Sequence, residues 1–507
     1  VTNRFEHHGL LRGALLVTGS TYLSYGLGLL ASILVARALG PADYGRYAYV
    51  MWMSALLVQF INHGLTTTAI RFTSEWVGRG DPAAAARLQH WLWRQHWRSA
   101  AMVAAAFLPL VPWLEPEGWR QGLPVFAAVV LATAVTRATN ILQLSLAKGH
   151  GLFALEAVTS SVVSVAALSG AAAAFACKAP MAVYLALFLL VNLLPPLISQ
   201  RGLGRAGLRA EAGELAPAQR ALIRSHLRWT LVLVVSFTLS NKAIETALLN
   251  RLWSAESVAF FSIAGALTRG GIEMLSAGFA TVLMPSMAHA FGHEGLPRVQ
   301  RITETAVRAL QLLGLSLAGA GWFWARPMVL GLYGPKYLPA VPALQVMLAV
   351  GGFGLAHGAL GALLSTTNHQ SARALVAFAS LSIGAACALA LVPPFGLAGA
   401  LASHAVGSLT LLGVTAAVVH RKLRVRLPWH DLGRLVLAAT VGAGAGACCA
   451  LAWPTSAGEL AAGLVFLVVY LGMTLPLRFW RRNDAALLAG LPLPAAVRRH
   501  LAALASA

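Results

Sequence analysis

Charge is scarce in this chain, and acid is scarcer still. Asp, Glu, Lys and Arg make up 11% of the 507 residues, and 17 acidic residues stand against 38 basic ones. A soluble domain carries about a quarter of its residues charged. With 58% apolar residues and a mean hydropathy of +0.70, the soluble class is excluded. Cysteine is also sparse: Cys177, Cys387, Cys448 and Cys449 show no paired spacing, which argues against a disulfide framework or a thiolate metal site. No phosphate-binding GxxxxGK[ST] loop is present, and "HEGLP" from His293 to Pro297 lacks the second histidine of a zinc-protease helix. No long external loop offers paired acids for glycosyl transfer. The sequence therefore points away from an enzyme and implies no metal or cofactor.

What the chain has instead is long apolar runs. About fourteen recur, each able to cross a hydrocarbon core of about 30 Å, from 14–36 through the fourth at 122–147, the seventh at 229–251, the eighth at 258–288 and the tenth at 338–366 to the last two at 433–453 and 459–477. Without water in that core, such segments satisfy their backbone only as helices. The expected class is an all-α, polytopic integral membrane protein. The net charge of +21 does not signal nucleic acid, because most of the basic residues fall in alternate loops, the set that holds both termini. The positive-inside rule puts those termini in the cytoplasm. The first run exceeds the core of a cleaved signal peptide, so it is read as a retained helix.

Short corners recur between the spans. "VARALGPADYGRYAYV" (Val35 to Val50) is echoed by "LNRLWSAESVAFFSIA" (Leu249 to Ala264), and a shift of 214 residues places Arg37 on Arg251 and Tyr47 on Phe261. A shift of 219 carries "LAKGH" onto "STTNH". This reads as a duplication: an N-terminal six-helix lobe over 1–200, a basic cytoplasmic linker over 201–228, a second six-helix lobe over 229–420, and two added helices with a basic tail over 421–507. Six is even, so both copies share one orientation and enclose a central cavity on a pseudo-two-fold axis along the membrane normal.

Charge at membrane depth is costly and usually faces a wet cavity or a partner. The seventh span reads "SFTLSNKAIETALL", where three- and four-residue spacing puts Thr238, Asn241, Lys242 and Glu245 on one helical face. The eighth places Arg269 one turn from Glu273, the fourth carries Arg137 near Thr133, Asn140 and Gln143, and the tenth holds His357 among glycines. Arg137, Lys242 and Arg269 fall near the midplane, a cationic belt suited to an anionic cargo with Asn241 beside it. Glu245, Glu273 and His357 are the candidates for coupling an ion, a proton or sodium. The competing reading is that these groups form internal salt bridges between helices.

On the cytoplasmic side, "RLQHWLWRQHWR" puts Arg87, Trp91, Arg94 and Arg98 on one face, a pattern for anchoring in the headgroup layer. Arg201, Arg205 and Arg209, then Arg220, Arg224 and Arg228, repeat at four-residue spacing and suit anionic lipid.

"ARALGPADYGRYAYV", "GLTTTAIRF", "LYGPKYLPAVPALQVML" and "PPFGLAGALASHAVG" resemble the polysaccharide-exporter (Wzx-type) flippases of the multidrug/oligosaccharidyl-lipid/polysaccharide exporter superfamily. The resemblance spans about residues 12 to 420. It implies two six-helix lobes around a cavity and movement of polyprenyl-diphosphate-linked oligosaccharides across the inner membrane for O-antigen, lipopolysaccharide or exopolysaccharide assembly, with membrane lipids and an assembly complex as partners. It does not carry the cavity residues, which rest on depth and face. Three other functions compete: a cation-coupled drug or metabolite exporter, which would favour acids in its cavity; a lipid II flippase; and, from another class, a membrane-embedded sugar polymerase.

Overall fold

Proline and glycine decide where the helices of this protein turn. The computed structural model describes residues 7–119, 122–208, 210–240, 242–274, 294–367, 369–425 and 427–480, with 283, 287, 290 and 291. Among the described residues every regular element is helical, and ten helices are long and apolar enough to cross a membrane. The protein is a multi-pass membrane protein. The C-terminal residues 481–507 and much of the expected eighth span lie outside the described residues.

The helices, in chain order, are α1 (His7–Asn62), α2 (Leu65–Gly78), α3 (Pro82–Leu114), α4 (Leu123–Gly149), α5 (Phe153–Ala176), α6 (Met181–Arg205), α7 (Pro217–Ser240), α8 (Ala243–Leu252) and α9 (Ala255–Thr268). They continue with α10 (Leu296–Leu332), α11 (Val341–Gly354), α12 (His357–Thr366), α13 (Gln370–Leu423), α14 (Trp429–Ala452) and α15 (Ser456–Met473). Two of them are pairs of spans joined at a sharp corner. In α1 the corner is Gly40, at φ 76°, followed by Pro41. In α13 it is Gly396, at φ 55°, just after Pro393 and Pro394. Glycine tolerates the positive φ, and a proline just inside a helix start costs no hydrogen bond.

The described residues divide into two compact units. The first runs to Ser262 and takes in Ala388–Ala400; the second comprises Ile263–Cys387 and the residues from Leu401 on.

Within the first unit, a sequence of leucines at helical spacing builds a core from α2, the start of α3, the end of α4 and the segment entering α7. Leu65, Phe72 and Trp76 meet Leu88 and Leu92, Leu142 and Leu146, and Leu215 and Ile223, all buried. Asp81 caps α3 by accepting from the Ala84 amide at 2.8 Å, an arrangement worth about 1 kcal/mol. The end of the unit near Gly40 is held by polar contacts. Glu117 accepts from the amide of Ala255 at the start of α9, Asn250 donates to the Glu115 carbonyl at 2.9 Å, and Arg46 donates to the Glu117 carbonyl at 2.9 Å. A Cβ on Gly45 would collide with the Ala255 carbonyl. The Trp253 indole donates to Val392 at 2.9 Å beside Gly396. The recurring corners of the sequence are thus turns at one end of this unit, and their glycines allow close backbone approach.

Within the second unit, α14 and α15 pack along α10. Gly319 leaves room for the Phe466 ring, which stacks on Tyr470. The Tyr470 hydroxyl donates to Leu312 at 3.2 Å, and the Trp324 indole to Leu460 at 3.0 Å. One end of this contact is closed by Arg308, which pairs with Asp431 at 2.9 Å, donates to the Phe479 carbonyl and lies over the Phe479 ring at 4.7 Å. Both partners are almost wholly buried, at 4% and 3% exposure.

Candidate functional site

α4 carries several polar residues inside an apolar run, and they point to different neighbours. The Asn140 carbonyl oxygen accepts from Ser199 at 2.7 Å, and the Gln143 amide donates to Gln200 at 3.0 Å, both on α6. Thr139 meets His96 of α3 at 3.0 Å. Arg137 takes another direction. It is half-buried, about 21 Å along the helix at 1.5 Å per residue, and it lines a cavity of about 240 Å³ enclosed by α1, α4, α5 and α6.

The walls of that cavity come from faces set by helical spacing. Gly28, Ala31, Ser32 and Val35 come from the first half of α1, Tyr47 and Met51 from its second half, Ser164, Ala167 and Ala171 from α5, and Tyr184, Phe188 and Asn192 from α6. Small residues on α1 and α5 leave the space open. Most of the lining is apolar, with polar atoms at a few points. Ser32 shares a hydrogen bond with Tyr44 at 2.7 Å. The Asn192 amide donates to Phe188 at 2.6 Å, which leaves its carbonyl oxygen for a donor. The Tyr184 hydroxyl is buried, at 1% exposure, and has no hydrogen-bond partner. A buried hydroxyl without a partner costs about 1–3 kcal/mol, so a ligand group that pairs with it gains accordingly.

The other residues singled out from sequence are dispersed. Lys242 and Glu245 belong to the first unit with Arg137; Arg269 and His357 belong to the second. The expectation that Thr238, Asn241, Lys242 and Glu245 share one helical face is corrected. The seventh span breaks between α7 and α8, with Lys242 at φ 64° in the left-handed region, so the spacing is not carried through. The Lys242 carbonyl accepts from the Thr246 amide and hydroxyl, opening the new helix. Glu245 is buried in its first turn. Asn241 lies outside the described residues, as does the side chain of Glu273. Arg269 is exposed and begins a π-helical turn, Arg269–Glu273, a form that often marks functional sites. His357 opens α12 after a break at Leu355 and Ala356, and its Nδ1 is buried without a partner.

Sequence reasoning missed Tyr184, Asn192 and Ser32. Their signal was a run of four-residue spacings, 28/32 and 184/188/192, which looks like any helix–helix seam. It also missed Arg308 and Asp431, which sit at the ends of expected spans, where charge is ordinary.

The bundle, with Arg137 on the wall of a pocket in its first unit, shares its fold with several solved membrane transporters. The chain is similar to the lipid II flippase MurJ in its inward closed conformation, with a TM-score of 0.68 over 91% of this chain and 98% of that one at 12% identity. It is also similar to an inward-facing multidrug resistance MATE family transporter, with a TM-score of 0.61 over 80% and 95% at 13% identity. A third likeness is to a MOP superfamily transporter from Pyrococcus furiosus, described by the reverse polarity of its binding pocket, with a TM-score of 0.55 over 81% and 94% at 14% identity. At such identities the likeness is one of fold. The chain belongs to the polysaccharide biosynthesis protein family, whose pattern it matches over residues 10–291, more than half its length. No curated protein matches the chain at a significant level.

Proposed function

We propose that this protein is a flippase that moves a polyprenyl-diphosphate-linked oligosaccharide from the cytoplasmic to the external leaflet of the inner membrane, for assembly of a surface polysaccharide such as O-antigen, lipopolysaccharide or exopolysaccharide. Both termini lie in the cytoplasm, and the protein catalyses no covalent step. The observation that carries the reading is Arg137 on the wall of a mainly apolar cavity. A cation at that depth costs several kcal/mol, and a guanidinium matches the oxygens of a diphosphate better than a point charge does. Membership of the polysaccharide biosynthesis protein family supports a sugar cargo.

The cavity of about 240 Å³ is below the usual range of about 300–1,000 Å³ for small-molecule sites. It seats part of the head: the diphosphate at Arg137, with Asn192 and Tyr184 toward the first sugar. Lys242, Arg269 and Asn241 act at other stages of an alternating-access cycle, and the prenyl tail stays in lipid. Glu245, Glu273 and His357 are held as ion-coupling groups. One charge crossing 100 mV supplies about 2.3 kcal/mol. Membrane lipids and a polysaccharide assembly complex are the expected partners.

The second reading is export of drugs or metabolites, favoured by the fold likeness to a multidrug transporter. A cation on the cavity wall disfavours cationic drugs, so the flippase reading is preferred. The test is deletion of the gene followed by extraction of lipid-linked sugars. Their accumulation with loss of the surface glycan supports the proposal. Unchanged lipid-linked sugars, with new sensitivity to cationic dyes, would make it an exporter instead.

A further inference from the structure

Away from the cavity, three helices of the first unit change character at one level. On α3 the exposed residues Arg94 and Arg98 give way to exposed Met102. On α6 exposed Leu190, Leu194 and Leu197 lead to exposed Arg201 and Arg205, and on α7 exposed Arg224 and Arg228 give way to Leu231 and Val232. Spacings of three and four residues keep each series on one helical face. Arg201 lies about 30 Å along α6 from Met181, one hydrocarbon thickness away. Trp97, beside Arg98, is 55% exposed, and tryptophan favours that boundary.

Contacts between the helices fix that common level. His96, between Arg94 and Arg98, meets Thr139 of α4 at 3.0 Å; the next residue, Asn140, accepts from Ser199 at 2.7 Å, two residues before Arg201. Ser99, beside Arg98, meets His63 at 3.2 Å, and a Cβ on the adjacent Gly64 would strike Thr230 of α7, two residues after Arg228. The acids at this end are committed elsewhere. Glu75 pairs with Arg79, Glu156 with Lys148 and Glu214 with Arg220, while Asp81 caps α3. Glu211 is exposed in the segment before α7, its amide bonded to Ala86. Among the described residues, none of the six arginines makes an ion pair.

We propose that these six arginines form a docking surface for the diphosphate head of the lipid-linked cargo, holding it at the membrane boundary before it enters the cavity. This rests on the flippase reading above. Charge and spacing favour a diphosphate over a single phosphate. The arginines come in pairs one turn apart, about 6 Å, so each pair offers two guanidinium forks to two linked phosphates. The phosphate of an ordinary phospholipid fills one fork and leaves the other unmatched. The exposed face of α6 before Arg201, formed by Leu190, Leu194 and Leu197, suits the prenyl tail. The same helix makes the surface continuous with the cavity, because Asn192, about 14 Å along α6 from Arg201, is part of the cavity wall.

The test measures binding of farnesyl diphosphate and farnesyl monophosphate to the full-length protein in nanodiscs of neutral phosphatidylcholine. It is run on R137Q, which removes the cation of the cavity and leaves the surface. The expected result is that the diphosphate binds about tenfold more tightly than the monophosphate, and that adding R98Q, R201Q and R228Q abolishes the preference. An unchanged preference after those substitutions overturns the surface. Displacement of the diphosphate by an equal concentration of phosphatidylglycerol also overturns it, and makes the belt a site for ordinary anionic lipid. If the combined variant does not fold, R224Q/R228Q on the R137Q background replaces it, and an unchanged preference there has the same meaning. The probes carry no sugar, so the two claims separate. A belt-dependent preference in a protein whose deletion leaves lipid-linked sugars unchanged keeps a prenyl-diphosphate site and removes the flippase reading. Accumulated lipid-linked sugars without that preference remove the docking surface alone.

Discussion

In the first unit, α4 brings Arg137 to the wall of a cavity and ties its amides to α6. In the second, α10 brings Arg308 into a sealed contact with Asp431, the Phe479 carbonyl and the Phe479 ring. The same residue type serves two ends. Arg308 is paired with a carboxylate, a carbonyl and a ring of the protein and works as a rivet for helices α14 and α15. Arg137 lines a cavity. The difference teaches that a charge in a membrane bundle is read by its surroundings, whether a volume or a dry partner, and hardly at all by its position along a span.

Cutting the rivet has the largest expected effect. Asp431→Ala strands a buried guanidinium and costs about 3–5 kcal/mol, seen as a large fall in Tm in detergent; an unchanged Tm would erase the contrast between the arginines. Leu88→Ala, in the core beside α2 and α7, costs about 2–5 kcal/mol and leaves the α10–α15 contact intact, which limited proteolysis of each region would show. Arg137→Gln lowers export at least tenfold, equal to about 1.4 kcal/mol, measured as retained lipid-linked sugar. Glu117→Ala removes the cap on α9 and costs about 1 kcal/mol; hydrogen exchange at the start of α9 reports it.

The smallest effect is a pH dependence at His226, which lies in the basic first half of α7 against Phe72 and Arg71. Burial first, and the Arg71 charge second, push its pKa below the ordinary 6.5. The folded protein thus refuses a proton that the unfolded chain accepts. Its contribution is constant above about pH 6.5 and turns unfavourable as pH falls below it. H226Q should flatten the fall in Tm between pH 7.5 and 5.5; an equal fall in both proteins contradicts this.

The sequence made the fold legible because length, hydropathy and glycine–proline corners are local signals. Gly40–Pro41 and Gly396 turn the chain where the motifs said it would turn. Arg137 was legible too, since charge inside an apolar run needs a reason. The break before Lys242 was not, because Ser240, Asn241 and Lys242 are tolerated inside a helix and no glycine or proline marks the stop. Tyr184 was hidden because one tyrosine in a span is unremarkable until its hydroxyl is seen without a partner. The pairing of Arg308 with Asp431 joins residues far apart in sequence, and spacing cannot report it.

The central claim is that Arg137 holds the anionic head of a lipid-linked sugar. The most direct measurement compares lipid-linked sugars in a deletion strain carrying wild type, R137Q or R137K at equal membrane abundance. The account predicts clearance of the lipid-linked sugar by wild type, accumulation with R137Q and an intermediate level with R137K. Full clearance by R137Q would contradict it.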